Sequence, residues 1–317
     1  MGPQLTVALP VYNGANSLRP AIQSILEQDL APFDLIVCDD RSTDDSLLLI
    51  RDLAGDRVRI VENPERLGLA GNWNRCVQVA RTPFVAIFHQ DDVMRPGHLA
   101  AHARAFARDL DLGWVASASG VIDENGQPVP ETVVGRGGLG PCDRIFDAGE
   151  ALPEMAIENP LRCSAVTIST RAHADAGGFD PSFRYVVDWE FWIRVASRRC
   201  VGWLASPSVD VRWHLASETH RFATGTSDLE ETSRLLDSLG IAQPLRQKAD
   251  RRLARAYLNR AHVALKAGNS ELGRRALQKS ISLWPGIVGR IAIDPRLAVQ
   301  MTALAVWPGW ASRTFGR

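Results

Sequence analysis

Short apolar runs alternate with helical patterns along the first 90 residues of the chain. Residues 5–10 (LTVALP) are β-branched and apolar and end in proline, which predicts a buried strand. Residues 16–28 repeat apolar positions on one face, which predicts a helix. The alternation continues with strands predicted at 33–38, 58–61 and 84–88 and helices predicted at 46–53 and 72–80. This order predicts an α/β fold with a mostly parallel central sheet and flanking helices.

Polar residues follow each of the first four predicted strands. Ligands of parallel sheets bind beyond the carboxyl ends of the strands, so these residues are expected to line one cleft. They are Tyr12 and Asn13 after the first strand, Asp39 and Asp40 after the second, Asn63 after the third, and His89, Gln90, Asp91 and Asp92 after the fourth.

The pattern is less regular beyond residue 92. Strands are predicted at 114–122 and 165–169, a glycine-rich loop at 133–141 and a helix at 188–196. From about residue 229 the composition is helical and basic, and residues 257–285 predict a two-helix hairpin that turns at Gly268 and Asn269. We therefore expect one domain over residues 1–227, divided near residue 112, and a helical C-terminal extension over residues 228–317.

Charge is distributed unevenly although the total is zero. The 36 Lys and Arg balance the 36 Asp and Glu, but residues 246–317 carry a net charge of +11 and the first 245 residues carry −11. The chain start has no secretory pattern, and no apolar run reaches the roughly 18–20 residues of a membrane-spanning helix. The five scattered cysteines are typical of thiols in a reducing cytosol. We expect a cytoplasmic protein.

Two pairs of adjacent acidic residues are the main candidates for chemistry. Asp91 and Asp92 repel one another and are costly to desolvate, and a hard divalent cation that also binds phosphates resolves this conflict. The alternative is that Asp92 only caps a helix predicted near 96–106. Of the second pair, we expect Asp40 to bind a ligand and Asp39 to have a structural role. The two pairs together indicate a metal and nucleotide site.

The sequence argues against several enzyme classes, because their motifs are missing. Residues 68–71 (GLAG) do not form the G-x-G-x-x-G of a dinucleotide site, and a P-loop is impossible because the first lysine is Lys248. His89, His214 and His220 lack the H-E-x-x-H spacing of metalloproteases.

Five motifs resemble, in order and spacing, the family 2 inverting glycosyltransferases of the GT-A fold. They are residues 9–13 (LPVYN), 24–28 (SILEQ), 36–44 (IVCDDRSTD), 68–74 (GLAGNWN) and 88–92 (FHQDD). The resemblance covers roughly residues 4–222. It continues at 177–180 (GGFD), at 188–194 (DWEFWIR), which is similar to the family's E-D-W-D-x-W-x-R helix, and at 211–214 (VRWH). It implies a Rossmann-like sheet, with a nucleotide-sugar half over about 1–112 and an acceptor half over about 113–227.

The resemblance implies a role for individual side chains. Tyr12 would stack on the nucleobase, Asp40 would bind the base, Asp91 would contact the ribose or sugar, Asp92 would hold Mg²⁺ or Mn²⁺ against the diphosphate, and Asp188 would be the general base. The nucleotide-sugar residues are Pro10, Tyr12, Asn13, Asp40, Asn74 and Asp91; the metal ligands are Asp92 and His214; the acceptor-side residues are Gly178, Trp189 and Arg212.

Two positions depart from the family pattern. Val187 stands where the family usually has the first acid of a Glu-Asp pair, and His89 with Gln90 replaces the commoner Asp-Ala or Asp-Ser. Trp189 and Trp192 could stack on a sugar, but tryptophans three residues apart on a helix are more often core. Trp189 and Trp192 place Asp188 in apolar surroundings, which would raise the pKa of Asp188 toward the range of a useful base.

The expected reaction transfers a sugar from a nucleoside diphosphate sugar to a hydroxyl of a lipid-linked or growing cell-surface glycan. Residues 296–317 would contact an anionic membrane, or would instead pack on the catalytic domain. No base-reading motif suggests a nucleic acid partner. Two other functions remain open: a nucleotidyltransferase acting on sugar phosphates, although a G-x-G-T-R loop is missing after the first strand, and a non-catalytic nucleotide-sugar-binding or assembly module.

Overall fold

The computed structural model describes residues 5–29, 32–130, 138–214, 222 and 224–316. The chain divides into two compact units. The first comprises Met1–Met155 with Asn159–Leu215, and the second comprises Ala156–Glu158 with Ala216–Arg317. Part of the predicted glycine-rich loop at 133–141 lies outside the described residues.

A nine-stranded sheet forms the centre of the first unit, in the order β3-β2-β1-β4-β8-β6-β9-β5, with β7 paired to β9. The strands are β1 Leu5–Val11, β2 Asp34–Asp39, β3 Val58–Glu62, β4 Phe84–Ile87, β5 Val93–Met94, β6 Trp114–Ile122, β7 Arg144–Phe146, β8 Val166–Ser169 and β9 Val201–Arg212.

The helices of the first unit follow the strands. They are α1 Leu18–Leu26, α2 Ser46–Ala54, α3 Gly68–Val79, α4 His98–Arg108, α5 Leu152–Met155, α6 Thr170–Ala176 and α7 Val187–Ala196, with short 3₁₀ helices at Gly55–Arg57 and Cys163–Ala165. Apolar side chains of α1 and α4 pack on the sheet in one buried cluster with β1, because each helix presents one apolar face to it.

Register brings the polar strand ends to one edge of the sheet. β1 to β4 are parallel in the order β3-β2-β1-β4, as the alternation of elements predicts. Val11 of β1 pairs with Asp39 of β2, and Asp39 pairs with Glu62 of β3, so the chain leaves all three strands at the same level. The residues that follow these strands therefore meet at one edge.

The remaining part of the sheet is mixed. β8 is antiparallel to both β4 and β6, and β9 is parallel to β6 but antiparallel to β5 and β7. The α/β prediction is confirmed, with its parallel character limited to β1–β4 and the β6–β9 pair. The irregular connections after residue 92 carry no repeated strand and helix pattern from which strand direction could be inferred.

The second unit consists of helices in its described part. They are α8 Ser227–Ser238, α9 Leu245–Lys266, α10 Ser270–Leu283, α11 Ile287–Ile293, α12 Pro295–Val306 and α13 Pro308–Phe315. The predicted hairpin is confirmed by α9 and α10, whose connection contains Gly268 in a left-handed conformation. Leu253, Tyr257, Leu277 and Leu304 belong to a separate buried core of this unit. Across the described helices of the whole chain, none combines the length and apolar content needed to cross a membrane.

Candidate functional site

A histidine and two carboxylates gather between β4 and β5. His89, Asp91 and Asp92 each offer one potential ligand atom, and these atoms lie within 4.8 Å of one another. The three residues stand at the carboxyl edge of the sheet, where β4 ends and the chain turns toward β5. The cluster therefore occupies the position expected from the sequence, with a histidine as its third member.

Asp92 is the most buried member, with 2% of its surface exposed. The Ser164 hydroxyl donates to Oδ2 at 2.5 Å, and the backbone N–H of Arg212 donates to Oδ1 at 2.9 Å. Burial, together with the neighbouring charge of Asp91, raises the pKa of Asp92 to about 7. Helix α4 begins at His98 after Gly97, so the alternative in which Asp92 caps this helix is wrong.

Asp91 has a different set of neighbours. His214 Nε2 lies 2.9 Å from Asp91 Oδ2, so His214 pairs with a carboxylate of the cluster and is not one of its three members. The Arg212 guanidinium donates to the carbonyl oxygens of Asp91, Asp123 and Glu124. These bonds tie the end of β9 to the cluster and use the guanidinium that was expected on the acceptor side.

His89 is held in place from two sides. Its backbone N–H donates to Ser164 Oγ at 3.0 Å, and its ring stacks on Trp73 with the centroids 5.3 Å apart. Nδ1 lies 3.9 Å from Asp92 Oδ2, and Nε2 is buried without a hydrogen-bond partner in the described structure. Burial lowers the pKa of His89, while the charges of Asp91 and Asp188 oppose that effect.

A divalent cation fits this group of side chains. Two carboxylates and one imidazole are established ligand types for such ions, and their spacing allows a shared ion. Without a cation, burial and the negative charge of Asp91 both disfavour ionisation of Asp92 and raise its pKa. The donor set is incomplete for six ligands, which leaves positions for phosphate oxygens or water.

Asp188 lies in the first turn of α7, and its charge interacts with that of His89, a member of the cluster. Asn159 Nδ2 donates to Asp188 Oδ2 at 3.1 Å, and the backbone N–H of Trp189 donates to Oδ1 at 2.7 Å. Burial raises the pKa of Asp188, and these two hydrogen bonds act in the opposite direction. The raised pKa agrees in direction with the sequence-based expectation.

The aromatic residues after Asp188 belong to the core. Trp189 and Trp192 are buried, and the Trp189 indole donates to the Met155 carbonyl. Val187 is also buried, so the position where the family usually carries a second acid faces the protein interior. The prediction that the tryptophans are core is confirmed, and Trp189 is not open to an acceptor.

Tyr12 stands under an arginine at the end of β1. The Arg66 guanidinium carbon lies 3.7 Å from the centroid of the Tyr12 ring. Gln90 fixes the Tyr12 backbone from the other strand, because its Oε1 accepts from the Tyr12 N–H at 3.1 Å and its Nε2 donates to the Tyr12 carbonyl at 3.3 Å. A Cβ at Gly14 would overlap the Gln90 amide, so a larger residue there would require this side chain to move.

Asp40 is buried at the end of β2 and is held by several N–H groups. The backbone N–H groups of Leu67 and Gly68 donate to it at 2.7 and 2.9 Å, and Asn63 Nδ2 donates to it at 3.0 Å. Asp39 accepts from the Ser42 N–H, which agrees with its expected structural role. Asp40 therefore organises the start of α3, and its predicted contact with a base has to be made alongside these bonds.

The remaining predicted residues lie at various places on the first unit. Asn13 has a positive φ of 48° and accepts from the Thr43 N–H, which joins the loops after β1 and β2. Pro10 is half-buried within β1. Asn74 accepts from the Phe179 N–H and donates to the Phe179 carbonyl, so it bridges α3 to the turn that contains Gly178. The structure thus uses Asn74 for an internal bridge.

Sequence reasoning missed side chains that orient the site. Ser164 and Asn159 come from the irregular region between β7 and β8, which carries no motif, and Arg66 lies in the loop before α3. Their types gave no signal, because Ser, Asn and Arg are ordinary surface residues. His89 and Gln90 did carry a signal, since they replace the usual residues before the acidic pair.

Comparison with known families agrees with this geometry. Residues 6–139 match the model of glycosyl transferase family 2. The chain carries a family 2 glycosyltransferase domain. This domain contains β1–β4 together with the His89, Asp91 and Asp92 cluster, while Asp188 lies beyond the matched residues.

Two relatives illustrate how far the similarity extends. MT1568, an uncharacterized protein of Mycobacterium tuberculosis, is 29% identical over 296 residues, which are 89% of this chain and 90% of that protein. WfgD of Escherichia coli, a UDP-Glc:α-D-GlcNAc-diphosphoundecaprenol β-1,3-glucosyltransferase, is 29% identical over 89 residues, which are 28% of this chain and 35% of that enzyme. The second match is therefore partial on both sides.

Solved glycosyltransferase structures share the fold. S. aureus TarS 1–349 in complex with UDP-GlcNAc has a TM-score of 0.61 at 17% identity, with 98% of this chain and 90% of that chain covered. The mannosyltransferase PcManGT from Pyrobaculum calidifontis, solved with GDP-Man and Mn²⁺, has a TM-score of 0.56 at 20% identity, with 99% and 87% covered. The glycosyltransferase domain has the GT-A fold.

Proposed function

We propose that the protein is an inverting, metal-dependent glycosyltransferase that uses a nucleoside diphosphate sugar. The observation that carries the proposal is that Asp188 interacts electrostatically with His89, a member of the His89, Asp91 and Asp92 cluster at the carboxyl edge of the sheet. A base for the acceptor and a cation site for the diphosphate are the two functions that this reaction requires. The family match favours glycosyl transfer over nucleotidyl transfer.

The nucleoside would bind beside Tyr12. Tyr12 belongs to the loop after β1, which the bond between Thr43 and Asn13 joins to the loop after β2, and Arg66 already contacts one face of the Tyr12 ring. An aromatic ring and a guanidinium can both stack on a nucleobase, so Tyr12 and Arg66 supply the apolar and cationic surfaces for a nucleotide. Asp40, Asn13 and Pro10 would shape the pocket around them. UDP-GlcNAc and GDP-Man in the two solved structures support a nucleoside diphosphate sugar as the donor.

The cation would be held by Asp92 with Asp91 and His89. Bound there, a divalent metal would stabilise the negative charge that accumulates on the departing diphosphate. The Mn²⁺ in the mannosyltransferase structure supports a divalent ion of this kind. Asp91 would also reach the ribose or sugar through the oxygen that His214 leaves free.

Asp188 would act as the general base. The acceptor hydroxyl would give its proton to Asp188 while its oxygen forms a bond to the anomeric carbon. The bond between that carbon and the phosphate oxygen would break, and the nucleoside diphosphate would leave from the opposite face. Burial raises the pKa of Asp188, which makes the carboxylate a better proton acceptor near neutral pH.

The acceptor would be a lipid-linked or growing glycan at the cytoplasmic face of a membrane. The name of WfgD, which contains a diphosphoundecaprenol-linked sugar, supports this class of acceptor. Residues 295–316 contain Arg296 and Arg313 and no acidic residue. Trp307 and Trp310 in this segment are 64% and 48% exposed. Basic and exposed aromatic residues together suit the headgroup region of an anionic bilayer.

Transfer of a sugar to water or acceptor, read as release of the nucleoside diphosphate, tests the catalytic proposal. A panel of UDP-, GDP- and dTDP-sugars would first be screened by protection against thermal unfolding. With the donor identified, Asp188→Asn is expected to bind it as the wild type does and to lose transfer. Unchanged turnover in this variant would assign the base to another residue.

Co-sedimentation with anionic vesicles tests the membrane contact separately. Replacing Trp307 and Trp310 by serine is expected to weaken sedimentation with phosphatidylglycerol vesicles, and high salt is expected to weaken it further. Leu110→Ser, which removes another exposed apolar side chain, serves as the control. Equal sedimentation of all three proteins would contradict the proposed contact.

A further inference from the structure

The donor set of the cation cluster contains a nitrogen where an all-oxygen set would suit Mg²⁺. Mg²⁺ and Ca²⁺ prefer oxygen ligands, whereas imidazole favours transition-metal cations. His89 is one of three residues whose potential ligand atoms lie within 4.8 Å, and the other two are carboxylates. The chemical identity of residue 89 therefore bears directly on which cation the site selects.

The surroundings of His89 favour ligation over a purely structural role. Its Nδ1 is 3.9 Å from Asp92 Oδ2, which is too long for a hydrogen bond and leaves room for an ion between the two atoms. Nε2 has no hydrogen-bond partner in the described structure although it is buried. A buried ring nitrogen without a polar partner is unfavourable unless a ligand compensates it.

One contact to the ring and one to the backbone hold His89 before any cation binds. Trp73 stacks on the ring, and Ser164 accepts the backbone N–H of His89 while donating to Asp92. One hydroxyl thus contacts two members of the cluster. Outer contacts of this kind orient metal ligands and tune their affinity.

We propose that His89 is a nitrogen ligand of the divalent cation and makes the site select transition-metal cations such as Mn²⁺ and Co²⁺ over Mg²⁺. This inference rests on the proposed metal-dependent function and deepens it. His214 is the competing histidine, but its Nε2 is already bonded to Asp91 and it stands outside the group of three.

Pulsed electron paramagnetic resonance of Mn²⁺ bound to the full chain tests the ligation directly. The wild type with Mn²⁺ and UDP or GDP is expected to show nitrogen modulation, and labelling the histidines with ¹⁵N should change its frequency. His89→Asp should abolish the modulation, whereas the matched variant His214→Asn should retain it. Bound Mn²⁺ without histidine nitrogen modulation in the wild type would overturn the inference, as would modulation lost only in His214→Asn.

Competition between cations tests the selectivity. Mg²⁺ would be titrated against bound Mn²⁺, and His89→Asp is expected to lower the preference for Mn²⁺ at least about tenfold. An unchanged ratio in a variant that still binds Mn²⁺ would refute the selectivity while leaving the proposed function intact. Failure of the wild type to bind any divalent cation, with or without nucleoside diphosphate, would refute the metal-dependent function as well.

Discussion

Asn159 should set the pH range in which the proposed base works. Its side-chain N–H donates to Asp188 Oδ2 at 3.1 Å, and this bond favours the charged carboxylate against the burial that raises the pKa of Asp188. Asn159→Ala removes the donor. A hydrogen bond to a charged group contributes about 1.5 kcal/mol, which corresponds to a displacement of about one pH unit.

The sign of the displacement follows from the role of Asp188. A general base works only when it is ionised, so transfer is lost as the pH falls through its pKa. Losing the Asn159 donor raises the pKa further, so the acidic limb of the pH profile should move to higher pH by about one unit. Activity on the plateau above that limb should change much less.

Asn159→Asp provides a stricter comparison. It retains an acceptor for the Leu161 N–H, which Asn159 Oδ1 binds at 3.1 Å, but it places a second carboxylate beside Asp188. Like charges raise carboxyl pKa values, so its limb should lie above that of Asn159→Ala. The assay is the initial rate of nucleoside diphosphate release from pH 5 to 9 at low acceptor concentration. Three coincident profiles would refute the assignment of Asp188 as the base or of Asn159 as its partner.

Three further outcomes follow from contacts in the two units. Ser164→Ala should weaken Mn²⁺ binding about tenfold in calorimetry, because the hydroxyl orients a ligand of the cluster, and unchanged affinity would exclude that role. Gly14→Ala should cost about 1–3 kcal/mol in urea unfolding, because its Cβ overlaps the half-buried amide of Gln90, and a neutral result would show that the Gln90 side chain adjusts freely. Arg260→Ala should cost about 3–5 kcal/mol, because it leaves the buried Asp228 carboxylate unpaired, whereas Arg274→Ala at an exposed pair should cost less than about 1 kcal/mol; similar costs would refute this reasoning.

The residues at the sheet edge could be predicted because each strand and the polar residues that follow it are adjacent in the sequence. Each of β1 to β4 is an apolar run followed at once by polar residues, so strand ends and ligand candidates are read from the same few positions. Asp39 and Asp40 could also be separated by role, and the Asp39 bond to Ser42 agrees with the structural half of that expectation. Local sequence is sufficient where neighbouring residues determine both the strand and the site.

The choice between histidines could not be made from local sequence. His89 and His214 are 125 positions apart, and only the packing of β9 against the chain after β4 determines which ring joins the cluster and which pairs with Asp91. Asn159 and Ser164 were missed for a related reason. They reach the site through irregular segments, where tertiary contacts rather than periodic patterns decide the position of a side chain.

Gln90 links Tyr12 to the His89, Asp91 and Asp92 cluster. Its amide holds both backbone groups of Tyr12, while its own backbone lies between His89 and Asp91. Tyr12, the proposed nucleobase contact, and the His89, Asp91 and Asp92 cluster are therefore attached to each other through Gln90. We expect the distance between Tyr12 and the cluster to match the length of a nucleoside diphosphate. A change of base preference at this edge would therefore have to keep Gln90, or change Tyr12 and the cluster together.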